Sequence, residues 1–570
     1  MIMNIFLTMT DTTKTVMESA PGALSHEARL DWAELAAVCL CLLFFLEGLI
    51  FIPYVGLQND ELLFAEALYP PVAAAHSVRV AGQQVPTMLM SYVGTLKSWL
   101  YAPLFGVWPP SPWSVRIPVL LLGALTVGLF FSLVRSTCGS RAAVVAAALL
   151  ATDATFVLTT CLDWGPVALQ HFLLIAGLLL LWRFHSTGRL FRLGAGFFCF
   201  GLALWDKALF SWSLAALVVA ALVVFPRETL GHLRPWKLAV AVLGFALGAA
   251  PLLVYNTTQR LMTFRETATF TTDGLGQKVA VLRGSLQGAS LFGYVVREDM
   301  PLQPGKPQNP LEALSLELSR SLGERRTGLL ELACILAVAL LPWLWVTPTR
   351  RPMLFALVFL GVAWIQMALT KGAGTGAHHT VLLWPFPHLL AGAALARASL
   401  ALRRSGLVVL VVVVVLVCGA NAAVLNQQLA QLIERGTTTI WTDAITPLAA
   451  YLRDAGASRI YVMDWGMMNV LRALEEGRLP LDIGSDPVAK ESLAAGDREL
   501  ALRMLATPGA LFVGHTEGNE ILSGVSARME ALASSAGYQK QVLRVIEDRN
   551  GRPVFEVYRW KTISAPAPRS

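Results

Sequence analysis

Charged residues are scarce in this chain. Asp, Glu, Lys and Arg make up 15% of its 570 residues, whereas soluble domains contain about 25%. Hydrophobic residues account for 55%, and the mean hydropathy is +0.58. This composition excludes an ordinary soluble globular protein and indicates an integral membrane protein.

Cysteine is also sparse, and its placement is informative. The chain has seven, Cys39, Cys41, Cys138, Cys161, Cys199, Cys334 and Cys418. All seven lie within or beside apolar segments, while 255–328 and 426–570 contain none. The parts predicted to lie outside the membrane are therefore not disulfide scaffolds. The sequence contains neither a CxxC nor an HExxH pattern, so no metal site is predicted from such spacing.

Long apolar runs are plentiful, and a membrane-spanning helix needs about 20 such residues. We predict eleven spans, at 33–54, 116–134, 142–160, 165–182, 193–206, 208–225, 238–254, 329–346, 353–370, 380–396 and 406–425. Asp206-Lys207 separates the fifth from the sixth, so this region is either one broken helix or two short tilted helices. The expected fold class is mainly α, a polytopic membrane protein with about 11 transmembrane helices.

Lys and Arg collect in alternate connections between the spans. These cations are Lys14, Arg29, Arg135, Arg141, Arg183, Arg189, Arg192, Arg227, Arg234, Lys237, Arg350, Arg351, Arg397, Arg403 and Arg404. Cytoplasmic loops carry such an excess, which predicts a cytoplasmic segment 1–30 and a transmembrane domain 31–425 with outside loops 55–115 and 255–328. The net charge of +7 thus indicates contact with anionic membrane lipid, and no nucleic-acid partner is expected.

The tail 426–570 has the mixed composition of a soluble domain. We predict helices at 443–455, 466–476, 487–506 and 517–536, with strands at 458–464, 509–515, 539–547 and 553–560. Asn550-Gly551 favours a hairpin turn between the last two strands. The tail is interpreted as a soluble, accessory extracytoplasmic α/β domain, in which Asp464 and His515 are strand-end polar residues.

Polar groups concentrate at the predicted outer ends of the spans. They are Asp60 and Glu61 in the first outside loop, Lys97 later in that loop, Asp163 before span four, Lys207 between spans five and six, and His378-His379 before span ten. Ionised groups at membrane depth cost free energy and usually line a cavity. A carboxylate beside cations can take a proton from an acceptor while the cations stabilise a departing phosphate.

Each of these residues also has a purely structural interpretation. Asp60 and Asp163 are typical helix-capping residues, and Asp206-Lys207 suits an internal ion pair at a helix break. His378-His379 is equally compatible with an ordinary interfacial loop. Glu47 and Asp153 are interpreted as members of a buried network.

The order of these motifs resembles the GT-C class of membrane glycosyltransferases, over residues 30–425. The resemblance rests on Asp60-Glu61 after span one, Arg116-Ile117-Pro118 at the start of span two, and Leu162-Asp163 before span four. Within that class the chain is similar to bacterial relatives of protein O-mannosyltransferases and of the lipid A aminoarabinose transferase.

The resemblance implies a single inverting displacement, with a sugar on polyprenyl phosphate as donor and a lipid, glycan or protein as acceptor. By position, Asp60 would be the base with Glu61 as its neighbour, and Asp163 would orient the acceptor or support the base. Lys97 would lie near the donor phosphate, although this chain has Thr95-Leu96-Lys97-Ser98 where the aminoarabinose transferases have a Glu-Lys-Pro-Pro-like pattern. Apart from the resemblance, the predicted positions of Lys207, His378 and His379 at the outer ends of the spans would allow them to contact the same phosphate.

No cofactor is implied with certainty, and dependence on a divalent metal is left open. The implied location is the bacterial cytoplasmic membrane, with the reaction at its outer face. Two other classes stay open. A secondary transporter would show paired broken helices at the midplane and inverted halves, and a non-catalytic assembly or sensor protein would bind a partner through its external tail.

Overall fold

The computed structural model describes residues 31–298 and 307–563, so the predicted segment 1–30 lies outside the described residues. Helices dominate up to residue 435. They are α1 (Trp32–Phe51), α2 (Leu96–Phe105), α3 (Pro112–Cys138), α4 (Ser140–Ala151), α5 (Ala154–Leu162), α6 (Val167–Thr187), α7 (Leu190–Asp206), α8 (Ser211–Val224), α9 (Pro226–Gly231), α10 (Pro235–Thr258), α11 (Met262–Thr267), α12 (Leu275–Leu286), α13 (Pro310–Ser321), α14 (Leu330–Leu340), α15 (Arg350–Leu369), α16 (Ala377–Thr380), α17 (Phe386–Ala401) and α18 (Arg403–Arg435).

Among the described residues, six helices are long and apolar enough to cross a membrane alone: α1, α3, α6, α10, α15 and α18. Two bent pairs raise the number to eight, α4 with α5 at 58° and Ala377–Leu383 with α17 at 45°. Each predicted span falls on one of these helices or pairs, or on the shorter α7, α8 and α14. The mainly α membrane fold is confirmed, while the number eleven stays a prediction.

The bend between α4 and α5 is built around Asp153. Its Oδ1 accepts a hydrogen bond from the Phe156 amide at 2.7 Å, so it caps the new helix. Its Oδ2 lies 3.2 Å from Nε2 of His388 on α17. Asp153 therefore joins the two bent pairs, as expected for a member of a buried network.

The break at Asp206-Lys207 produces two short helices. Lys207 is extended, with φ −152° and ψ 116°, and forms a bridge with Val93 of the first outside loop. The Gly94 amide donates to the Asp206 carbonyl at 3.0 Å, and the Ala208 amide donates to the Tyr92 carbonyl at 2.9 Å. These bonds satisfy backbone groups that the helix break leaves without intrahelical partners.

The two loops predicted to lie outside, 55–115 and 255–328, both contain regular structure among their described residues. The first holds a 3₁₀ helix (Leu63–Ala67), α2, and an antiparallel hairpin of β1 (His76–Val80) and β2 (Gln83–Met88). The second contains α11, α12 and α13. Its Thr271 amide donates to the Leu369 carbonyl, and the Lys371 amide donates to the Thr269 carbonyl. This pairing brings the second loop against the segment that leads to His378.

The tail folds as the expected α/β domain. Its elements are α19 (Ile445–Asp454), β3 (Arg459–Val462), α20 (Met468–Leu474), β4 (Leu481–Ile483), α21 (Ala495–Leu505), β5 (Ala510–His515), α22 (Val525–Ser535), β6 (Tyr538–Glu547) and β7 (Pro553–Thr562). The strand order is β4-β3-β5-β7-β6. β3 is parallel to β4 and β5, whereas β7 is antiparallel to β5 and β6. The short strand β4 was not predicted, and the predicted helix 487–506 begins only at Ala495.

The tail and the first outside loop share one hydrophobic core. Phe64 and Leu62 of the loop belong to the same buried cluster as Leu448, Val470 and Leu471 of the tail. Each large apolar side chain buried in this way contributes roughly 1.5–3 kcal/mol. The α/β domain is consequently packed against the loop that carries Asp60.

Gly56 lies at a close contact between these two parts. Its amide donates to the Trp441 carbonyl at 2.8 Å, and a Cβ at this position would lie 1.8 Å from the Thr442 carbonyl oxygen. We expect Gly56→Ala to destabilise the fold by about 1–3 kcal/mol, because backbone atoms would have to move apart. Thermal unfolding of the purified protein measures this. The control is Gly419→Ala, where a Cβ has open space. Equal unfolding temperatures for Gly56→Ala and Gly419→Ala would contradict the close contact at Gly56.

Candidate active site

A cavity of about 370 Å³ lies among the first outside loop, the α5–α6 turn, Lys207 and the segment 370–379. Six of the predicted site residues line it: Asp60, Glu61, Lys97, Lys207, His378 and His379. Asp163 does not line the cavity itself but forms an ion pair with Lys97, which does. The fold therefore brings together residues that are spread over more than 300 positions of the sequence.

Glu61 forms a buried, bidentate ion pair. Its Oε1 lies 2.8 Å from Nε of Arg116, and its Oε2 lies 2.9 Å from Nη2. Arg116 also donates to the carbonyls of Val55 at 2.5 Å and Gly56 at 2.7 Å. Because both carboxylate oxygens are engaged, this pair fixes the end of α1 and the start of the outside loop against α3.

Asp60 differs from its neighbour in having a carboxylate without a partner among the described residues. The Oε1 atom of Gln58 accepts the amides of Asp60 at 2.6 Å and Glu61 at 3.0 Å, which orients the backbone. Within 31–298 and 307–563, no hydrogen bond or ion pair occupies the Asp60 side chain. Burial, and to a lesser degree the charge of Asp60, raises the pKa of the Tyr92 hydroxyl. Asp60 is thus a half-buried, available acceptor on the cavity wall.

Lys97 and Asp163 form a second buried pair. Lys97 Nζ lies 2.7 Å from Asp163 Oδ2 and donates weakly to the Glu61 carbonyl at 3.4 Å. Asp163 Oδ1 accepts the Ala168 amide at 3.0 Å, so the carboxylate also caps the start of α6. The backbone of Asp163 is left-handed, with φ 38°, a strained conformation that clusters at functional sites in non-glycine residues.

Lys207 and its neighbour Asp206 form hydrogen bonds with different partners. Lys207 Nζ donates to the Gly165 carbonyl at 3.0 Å, whereas Asp206 Oδ2 accepts from Gln170 Nε2 at 3.2 Å. The ammonium group of Lys207 lies on the cavity wall although the residue is only 4% exposed. An ammonium group has three donors, so the bond to Gly165 leaves others for a ligand.

The paired histidines belong to an aromatic stack. The Trp164 ring lies between Tyr294, at 4.1 Å between centroids, and His378, at 3.8 Å. The His379 ring follows at 4.0 Å from His378. Nδ1 of each histidine is buried without a hydrogen-bond partner among the described residues. Both atoms are therefore open to a ligand or to water.

Sequence reasoning did not single out several residues on the wall. Lys371 is exposed, and with Glu266, Tyr92 and Trp164 it lines the cavity. Trp164 directly follows Asp163, and Lys371 begins the glycine-rich segment before His378. Their closeness in sequence to these predicted site residues was the signal that could have identified them. Glu266 lies in the long second loop, where no local pattern marks it.

The described residues do not contain a group of three or more His, Cys, Asp and Glu placed to hold a metal ion. In the tail, Nδ1 of His515 lies 2.6 Å from Oδ2 of Asp464, so the two side chains are hydrogen-bonded to each other. Asp464 also accepts the amides of Ile521 and Leu522, each at 2.8 Å. Burial is the largest single influence and acts to raise the pKa of Asp464, but the hydrogen bonds to the carboxylate, led by that from His515, together lower it.

A helical membrane region, a polar cavity lined by its long loops and an α/β tail form the arrangement expected for the GT-C fold. Residues 93–255 match the profile of the family described as dolichyl-phosphate-mannose-protein mannosyltransferase. The structure of ArnT from Cupriavidus metallidurans bound to undecaprenyl phosphate superposes with a TM-score of 0.58 at 14% identity, covering 94% of this chain and 99% of that one.

The apo structure of the same ArnT gives a TM-score of 0.54 at 15% identity, with the same shares of both chains covered. No curated protein is matched by sequence. The expected resemblance to the GT-C class is thereby confirmed, and it extends beyond the membrane region to the soluble tail.

Proposed function

We propose that this chain is an inverting glycosyltransferase that moves a sugar from polyprenyl phosphate to a lipid, glycan or protein acceptor at the outer face of the bacterial cytoplasmic membrane. The main support is the Asp60 carboxylate, which has no partner within 31–298 and 307–563 and lines the same cavity as the cations Lys207 and Lys371. The fold shared with ArnT, whose structure contains undecaprenyl phosphate, supports the class of donor.

In the proposed reaction, Asp60 accepts the proton of an acceptor hydroxyl or amine as that group attacks the anomeric carbon. The bond between that carbon and the phosphate oxygen breaks, and its electron pair leaves with polyprenyl phosphate. Because phosphate is a competent leaving group, the site needs a general base and nearby cations, and it does not need a general acid to protonate the leaving group. Attack opposite to the leaving group inverts the anomeric carbon.

The two buried pairs have supporting roles in this scheme. Glu61, held by Arg116 through both oxygens, is proposed to position the loop that carries Asp60. Asp163 is proposed to orient Lys97, whose ammonium uses two donors on Asp163 and the Glu61 carbonyl. The third donor of Lys97 is then available to the donor phosphate at the cavity wall.

The bent helix pairs would also suit a secondary transporter. The transferase is favoured because the cavity combines an unpaired carboxylate with several cations and is lined by the outside loops. The test is incubation of the purified protein with polyprenyl-phosphate sugars and membrane acceptors. We expect glycosylated product and free polyprenyl phosphate in equal amounts. Absence of donor turnover, together with substrate uptake by proteoliposomes, would favour the transporter.

Removing the Lys207 ammonium should weaken handling of the donor phosphate. A hydrogen bond to a charged group contributes about 1.5–3 kcal/mol, so we expect Lys207→Ala to lower kcat/KM for the donor by about 10- to 100-fold. Lys207→Arg should recover part of that loss. Steady-state kinetics over donor concentration measure the effect. Lys237→Ala, at the start of α10 beside His232, is the control, and a Lys207→Ala value equal to wild type would refute the phosphate contact.

A further inference from the structure

One residue of the soluble tail bonds to the segment that carries Asp60. Asn469 lies in the first turn of α20 and is only 3% exposed. Its backbone amide donates to Oδ1 of Asn59 at 3.2 Å. Asn59 directly precedes Asp60, so the bond acts one residue away from the proposed base.

Asn469 also holds the other end of this segment. Its side chain faces the carboxyl of Glu66, where together with the charge of the nearby Arg472 guanidinium it acts to lower the pKa of that carboxyl. Burial is the larger influence and raises the pKa of Glu66. Asn469 therefore contacts positions 59 and 66, on both sides of Asp60.

Apolar packing reinforces the two polar contacts. Leu62 and Phe64, between Asn59 and Glu66, share a buried cluster with Val470 and Leu471 of α20. The segment 59–66 thus has one face on the tail and another toward the cavity. Because the Asp60 side chain has no partner of its own among the described residues, its direction depends on a backbone held at these points.

We propose that Asn469 is a positioning residue, and that the soluble tail forms part of the active site by holding segment 59–66 with Asp60 directed into the cavity. This inference rests on the proposed transferase function. It assigns the tail a role in catalysis beyond that of an accessory domain. A displacement of about 1 Å at a reacting group can cost about 10²-fold in rate, so a loosened segment should slow turnover.

The first test is Asn469→Ala in the full-length protein, which removes the side-chain contact with Glu66 and keeps the backbone bond to Asn59. We expect kcat to fall about 10- to 100-fold, with the donor KM within about twofold of wild type, because the phosphate contacts are on other elements. The matched control is Asn519→Ala. Asn519 is also a buried asparagine of the tail, and it anchors the domain to Arg297 and Thr439 away from segment 59–66. Equal kcat losses in both variants would show general loosening and overturn the proposal.

Glu66 offers a second test that does not alter the tail. Glu66→Gln keeps an acceptor for Asn469 and should retain most of the wild-type kcat, whereas Glu66→Ala should match Asn469→Ala. Hydrogen exchange supplies a readout without turnover. Amides of 58–67 should exchange faster in Asn469→Ala and at the wild-type rate in Asn519→Ala.

The two proposals can fail separately. Wild-type transfer that is lost in Asp60→Asn but unchanged in Asn469→Ala, with unchanged exchange of 58–67, would refute the positioning role alone. A wild-type protein that transfers no sugar, while exchange of 58–67 still responds to Asn469→Ala, would refute the transferase and keep the structural link.

Discussion

Replacing Asp60 with asparagine is expected to reduce kcat for sugar transfer by about 10²- to 10⁴-fold, the range contributed by general-base catalysis. Asparagine preserves the shape of the side chain but cannot take the proton of the acceptor. The Gln58 bonds go to backbone amides rather than to the Asp60 carboxylate, so the loop should keep its conformation. Single-turnover transfer from a labelled polyprenyl-phosphate sugar measures the loss.

The same variant should still bind the donor. A ligand that binds only the folded state raises the unfolding temperature, so donor should stabilise Asp60→Asn and wild type equally. Asp273→Asn is the control, because Asp273 lies exposed in the second outside loop, bonded to Thr271. Transfer by Asp60→Asn at the wild-type rate would exclude Asp60 as the base.

The membrane helices and the α/β tail could be predicted because their signals are local. An apolar run of about 20 residues and an alternating strand pattern are each visible in a short stretch of sequence. The Asn550-Gly551 turn likewise required only its own residues and the strands beside it. Such features do not depend on which distant segment packs against them.

Which side chains pair with each other was much harder to predict from the sequence. Asp60 and Glu61 are adjacent and chemically similar, yet the fold pairs Glu61 with Arg116, 55 positions away. The Asp60 carboxylate has no partner in the part of the chain that the structure describes. No pattern around Asp60 distinguishes these outcomes. The pairing of Lys97 with Asp163 across 66 positions and the docking of α20 on segment 59–66 are long-range in the same sense.

The bend at Asp153 is an intermediate case. Thr152-Asp153 carries a capping residue inside an apolar run, which is a local helix-start signal. Whether such a signal breaks a span depends on a partner for the second carboxylate oxygen. His388 supplies that partner from α17, and it is 235 positions away in the sequence.

Arg116→Ala is expected to be the most destabilising substitution at the site. It would leave the Glu61 carboxylate buried without its cation, and removing one partner of a buried ion pair costs about 3–5 kcal/mol. The carbonyls of Val55 and Gly56 would also lose their donors. We expect a lower unfolding temperature and little transfer activity. Arg116→Lys should recover only part of both, since an ammonium group cannot form the bidentate contact.

A double substitution separates the ion pair from the rest of the Arg116 side chain. Replacing both partners by neutral groups removes the uncompensated charge, so Glu61→Gln with Arg116→Met should be more stable than Arg116→Ala alone. Unfolding of Glu61→Gln, Arg116→Met and the double variant measures the coupling free energy. If the double variant regains stability without activity, the pair positions the loop as well as holding the fold. Single and double variants of equal stability would show that the Glu61 charge is solvated in the protein, contrary to its burial.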